Sequence, residues 1–165
     1  MPTNLLKVYP ALLEIDHLSE GQRTQSLMGI FKRDIEENPE FKFRSKKINP
    51  TKGEEDAMAI LFKHLTTKNI DGKTRERTFE HQRSKRLHWI KHHVEENKKD
   101  KMLVFSVADP EGIRTYIFDQ EQNYVIILEP YRSRTEYYLI TAYLLDGRNP
   151  EKIKKKYKRR LVDII

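Results

Sequence analysis

Four histidines fall between positions 81 and 93: His81, His88, His92 and His93. An imidazole exchanges protons near neutral pH, so a positioned histidine can serve as general base or general acid. His88 is the first candidate for that work, with His93 and Lys91 as its companions. Further along, Arg114 and Tyr116 lie two residues apart, as do Thr141 and Tyr143. Period 2 puts each pair on one face of a strand. There a guanidinium and hydroxyls can meet the negative charge of a phosphate. A second chemistry uses His81, His88 and His92, spaced seven and four apart on one helix face, as zinc ligands. The pair reads His88-Trp89-Ile90-Lys91-His92. It lacks the glutamate of a zinc-hydrolase pair, sets Lys91 beside the ion and has no clear third ligand. No metal or other cofactor is therefore expected. Each residue also has an ordinary reading: a solvated histidine or arginine, a strand threonine, a tyrosine at a sheet edge, and a Trp89 that packs rather than stacks on a base.

Composition narrows the substrate. The chain has 165 residues, 37% of them hydrophobic, 35% charged and none cysteine. That is one domain, or one domain with an extension, able to bury a core without staples. The lack of cysteine excludes a disulfide scaffold, a thiol nucleophile and thiolate-bound metal. No run approaches the roughly 20 apolar residues of a membrane span, and Leu5-Leu6 and Leu12-Leu13 are too short for a secretion signal. A cytoplasmic protein with no membrane partner is expected. The net charge of +7 is unevenly spread. Residues 71–101 carry 10 basic and 6 acidic side chains, and residues 151–165 carry 7 and 2. Localised positive charge of this kind attracts a phosphate backbone. Arg83, Lys85 and Arg86 in the first segment, and Lys154, Lys155, Lys158 and Arg159 in the second, are the candidate RNA-binding residues.

The elements that must hold these residues follow from periodicity. Ser19 with Gln22 forms a capping box, and Leu27, Ile30, Phe31 and Ile35 recur at helical spacing, so a helix over 20–37 is expected, ended by Asn38-Pro39. Phe41 to Phe43 alternates as a short edge strand or extended link. A second helix is expected over Glu54–Leu65, a polar loop with Asp71-Gly72 over 69–74, and a long polar helix over 76–97 with the thin apolar stripe Phe79, Leu87, Ile90 and Val94. After Asn97 the period changes to 2. Leu103–Ala108, Ile113–Asp119, Tyr124–Pro130 and Tyr137–Leu145 then read as four strands joined by short polar loops. Such loops are too short for parallel crossovers, so a four-stranded antiparallel sheet is expected. Its side holding Tyr138, Ile140, Ala142 and Leu144 should pack on the helices, leaving Thr141, Tyr143 and Arg114 to line an open polar groove. A basic helix follows Pro150, anchored by Ile153, Tyr157 and Leu161. The fold class is thus α+β, with residues 1–70 a helical N-terminal extension and 71–165 the sheet domain with its basic C-terminal helix.

One stretch carries a resemblance. Arg86-Leu87-His88-Trp89-Ile90-Lys91-His92-His93, followed by four strands of which the last contains Thr141-Ala142-Tyr143, resembles the phage and toxin branch of the barnase–EndoU–colicin–RelE-like (BECR) nucleases. That group pairs a helical histidine, with a second five residues on, with a strand ending Thr-Ala-Tyr; His88 and His93 have that separation. Where the group continues His-Pro, His93 is followed by Val94, and the helix is free to run on. The resemblance covers about residues 75–146. It implies a metal-independent endoribonuclease that attacks tRNA or mRNA through the 2′-hydroxyl. It also implies a protein inhibitor, an antitoxin or immunity partner. His88 with His93 or Lys91 would carry protons, and Arg114, Tyr116, Thr141 and Tyr143 would hold the phosphate. A non-catalytic RNA- or DNA-binding module accounts for the same charge pattern.

Overall fold

A computed structural model describes residues 3–50, 56–70, 76–163 and 165. Helix α1 (Glu20–Phe31) begins where expected. The Ser19 hydroxyl accepts from the Gln22 backbone, and the Gln22 side chain accepts from the Ser19 backbone. The helix runs on as a π turn over Lys32–Glu36 before Asn38-Pro39 stops it. Two short strands follow, β1 (Lys42–Phe43) and β2 (Lys46–Asn49), then α2 (Ala57–Thr66). The expected start of α2 at residues 54 and 55, and Asp71-Gly72 in the expected loop, lie outside the described residues.

The expected long helix over 76–97 is not formed. Strand β3 (Thr67–Asn69) pairs antiparallel with β4 (Arg77–Phe79). The Arg77 guanidinium locks the hairpin by donating to the Thr67 hydroxyl (2.7 Å), the Thr67 carbonyl (2.8 Å) and Asn69 (3.0 Å). Only two short helices remain of the helical pattern, α3 (His81–Ser84), capped by Glu80, and α4 (Trp89–Val94). Local side-chain-to-backbone bonds have outcompeted a helix whose apolar stripe was thin.

The four long strands lie close to the expected bounds: β5 (Met102–Asp109), β6 (Gly112–Asp119), β7 (Tyr124–Pro130) and β8 (Glu136–Leu144). They pair antiparallel in sequence order. The sheet itself is six-stranded and mixed, not four-stranded and antiparallel. Its order is β1-β2-β8-β7-β6-β5, and β2 pairs parallel with the first three residues of β8. The α+β class holds. Helices α1, α2 and α4 cover one face, where Ile117, Tyr124, Ile126, Leu128, Tyr137, Leu139 and Ala142 join the main core. On the opposite face α5 (Asn149–Lys158) lays Ile153 and Tyr157 against Phe105 and Val107.

Strand β8 departs from period 2. Leu128 faces Leu139 and Ile127 faces Thr141, so Ile140 is an extra residue, a β-bulge. Tyr137 and Leu139 are buried under the helices before the bulge and Ala142 after it. This corrects the expected facing. The side packed on the helices begins with Tyr137 and Leu139, and Thr141 and Tyr143 are no longer in phase with them.

Candidate functional site

Because β2 pairs only with residues 136–138 of β8, the rest of that strand has no partner strand on this side. Helices α2 and α3 and the β3–β4 hairpin close over the gap and leave a cleft of about 250 Å³, lined by His64, Lys68, Arg77, Arg83, Thr141 and Tyr143, with Asn69 and Ile140 at its margin. The two arginines are held by identifiable bonds. His64, in the last turn of α2, lies beside the backbone of Ile140 at the bulge. Arg83 donates to the carbonyls that end α2, His64 (2.9 Å) and Thr67 (2.7 Å), and its guanidinium lies 5.2 Å from the centre of the Tyr143 ring. Its Nε is buried without a partner. Among the described residues no carboxylate lines the cleft, and none ion-pairs with Arg77 or Arg83.

The electrostatics follow from this grouping. Burial, then the charges of Arg77 and Arg83, lower the His64 pKa, and the neighbouring Ile140 backbone opposes them only in part. The imidazole is therefore neutral at pH 7, and a neutral imidazole keeps a lone pair on one ring nitrogen. Burial raises the Tyr143 phenol, while Arg83 pulls the other way. The cleft thus offers a neutral base, two guanidinium groups, an ammonium and two hydroxyls.

Of the residues singled out in the sequence, Thr141, Tyr143 and Arg83 are brought together here; the rest are dispersed. His88 does not lie on a polar helix side as expected. It is 5% exposed, and its Nε2–H donates to the Ala11 carbonyl at 2.8 Å, which Trp89 Nε1 also reaches at 3.2 Å. Trp89 is a packing residue, 1% exposed. His93 is buried too. Its Nδ1 meets the Trp89 carbonyl (2.7 Å) and its Nε2 the Asp119 carboxylate (2.9 Å). Lys91 pairs with Glu95 along α4. His81, His88 and His92 do not converge, since they bond to Asp16, bond to Ala11 and stack on Tyr9 respectively, and no group of three metal-ligating side chains occurs among the described residues.

Arg114 and Tyr116 do share a face, the one opposite the main core. Arg114 pairs there with Glu129, and the Tyr116 hydroxyl donates to Asp109. Lys85 pairs with Asp16, and Arg86 bonds to Gln82 above the Trp89 ring. On α5, Lys154, Lys155, Lys158 and Arg159 are exposed, while Lys156 turns inward to Asp109. The residues missed in the sequence are His64, Lys68 and Arg77. His64 falls on the apolar stripe of α2, four residues after Ile60 and three after Leu61, a polar residue on a packed face; nothing local marks Lys68 or Arg77.

Burial of His88 has a measurable consequence. Desolvation holds its pKa at about 4, below the ordinary 6.5. Between these values the unfolded chain binds a proton that the folded protein refuses, so stability falls as pH drops from about 6.5 to 4, by about 3 kcal/mol for this group. His88→Gln keeps a donor for Ala11 but does not titrate. Urea unfolding at pH 7, 6 and 5 is expected to show the variant gaining on the parent as pH falls. Parallel curves would mean that His88 is not buried in its neutral form.

Comparison with family models, with curated proteins and with solved structures finds no match to this chain.

Proposed function

We propose that the protein is a metal-independent endoribonuclease and that the cleft beside β8 is its active centre. The observation that carries this reading is the half-buried, neutral His64 beside Arg77 and Arg83, in a cleft whose described lining holds no carboxylate. Such a set suits transesterification at a phosphodiester. His64 takes the proton of the 2′-hydroxyl as the 2′-oxygen bonds to phosphorus. Arg77, Arg83 and the Thr141 hydroxyl stabilise the charge of the pentacoordinate phosphorus. The bond to the 5′-oxygen then breaks, and that oxygen takes a proton. Among the described residues, the Tyr143 phenol and the Lys68 ammonium are the ionisable donors that remain in the cleft, and Tyr143→Phe and Lys68→Met separate them. The exposed lysines of α5 add affinity for the RNA backbone. A tRNA or mRNA target and a neutralising antitoxin or immunity protein rest on the BECR resemblance alone, as does a toxin role.

Total RNA incubated with the protein in excess EDTA is expected to yield fragments ending in a 2′,3′-cyclic phosphate or the 3′-phosphate formed from it. Cleavage abolished by EDTA and restored by zinc would turn the reading to a metal hydrolase. Tight binding with no cleavage of any RNA would turn it to a binding module.

A further inference from the structure

A second concavity, of about 640 Å³, opens at the β7–β8 turn, on the strand that carries Thr141. We propose that it is a base-stacking subsite and that the substrate is single-stranded RNA; this inference rests on the nuclease reading of the cleft. The cavity is walled by Tyr131 and Tyr138, whose rings lie 4.4 Å apart at 31°. Arg132 and Arg134 project from the turn, exposed and without an ion pair among the described residues. The turn is held by two backbone bonds of 2.9 Å, Tyr131 N–H to the Glu136 carbonyl and Arg134 N–H to the Tyr131 carbonyl.

Tyr138 stands opposite Glu129, which pairs with Arg114, on the sheet face away from the main core. Tyr143, beyond the bulge, faces the same way. The tyrosine wall and the cleft are therefore two stations on one surface. Three residues of strand, roughly 10 Å, separate Tyr138 from Thr141. An RNA whose scissile phosphate sits by Thr141 lays a neighbouring nucleotide over the tyrosines. Aromatic rings next to guanidinium groups suit the open face of an unpaired base. In a duplex those faces are buried in the stack and present nothing to a ring. A surface for phosphate alone would need only the arginines.

The test uses the whole protein and a fluorescein-labelled, eight-nucleotide 2′-O-methyl oligoribonucleotide, which binds but lacks the attacking hydroxyl. Tyr131→Ala and Tyr138→Ala are expected to weaken its binding by about fivefold to 100-fold, the range of base–aromatic stacking, whereas Tyr131→Phe and Tyr138→Phe stay within about twofold. Cleavage of the dinucleotide UpA, too short to span both stations, is expected to be the same in all four variants. Alanine variants that melt like the parent and bind the oligonucleotide like the parent would overturn the subsite. Arg132→Gln/Arg134→Gln alters only exposed side chains and serves if Tyr138→Ala does not fold; unchanged affinity there also counts against the proposal. The two readings fail separately. Cleavage that needs His64 but ignores the tyrosines leaves the cleft and removes the subsite. Binding that needs the tyrosines, with no RNA ever cut, leaves the subsite and removes the nuclease.

Discussion

Replacing His64 by alanine is expected to reduce RNA cleavage by about 10²–10⁴-fold, the usual contribution of a positioned proton carrier. Folding should be little affected, because His64 is half-buried and outside the main core. His64→Gln should lose nearly as much. Its amide is of similar size and polarity but cannot exchange a proton, so the variant separates proton transfer from packing. The pH profile gives a second readout. Burial and the charges of Arg77 and Arg83 lower the His64 pKa, so activity should fall on the acid side only below the ordinary histidine range. Arg83→Gln removes one of those charges and should shift that limb upward, toward 6.5. His88→Gln provides the contrast, since His88 is enclosed by the N-terminal segment and lines a different cavity. If cleavage collapses in His88→Gln and survives in His64→Ala, the active centre is where the histidine motif first suggested and not at β8.

Removing the Asp119 carboxylate is expected to cost about 3–5 kcal/mol of stability, because it strands a partner inside the protein. Asp119 and His93 are 0% and 1% exposed. Burial pushes the Asp119 pKa up, but hydrogen bonds from His93, Tyr9 and the Gln122 backbone outweigh it and hold the group at about 2. The folded form therefore holds its proton less tightly than the unfolded chain. The stabilisation is complete above about pH 4 and is lost as pH falls through 2. In a protein of this size Asp119→Ala should lower the melting temperature by about 10 °C. The double variant Asp119→Leu/His93→Leu should recover much of the loss, because it removes both members of the pair. A single-variant cost below about 1 kcal/mol would mean that the pair is not enclosed.

What could be read from the chain, and what could not, divides along sequence distance. The capping box Ser19–Gln22 and the apolar spacing through Ile35 specify α1 locally, and alternation with short polar loops specifies the four long strands. Strand β2 could not be assigned a place, because its partners on β8 lie about 90 residues downstream and nothing within Lys46–Asn49 encodes a parallel neighbour. The bulge at Ile140 was equally hidden. One unpaired residue reverses the facing of all that follow it, and the apolar pattern of β8 reads plausibly in either phase. Strand β4 lies in a stretch that reads as helix, and the bonds of Arg77 to Thr67 and Asn69 that make it a hairpin with β3 cross a polar connection that reads as loop. Half of the cleft lies in these segments. Thr141, Tyr143 and Arg83 were identified, but the histidine they meet comes from a helix joined to them only through these non-local pairings.

The parallel pairing of β2 with β8 also sets the order in which the molecule is put together. The four long strands close short loops and can zip up quickly among themselves, whereas β2 must wait for a loop of about 90 residues to close. Helix α2, which carries His64, lies within that loop. The two halves of the cleft, His64 on α2 and residues 140–143 on β8, are likewise separated by a loop of about 75 residues, so the cleft is a late product of folding rather than a local one.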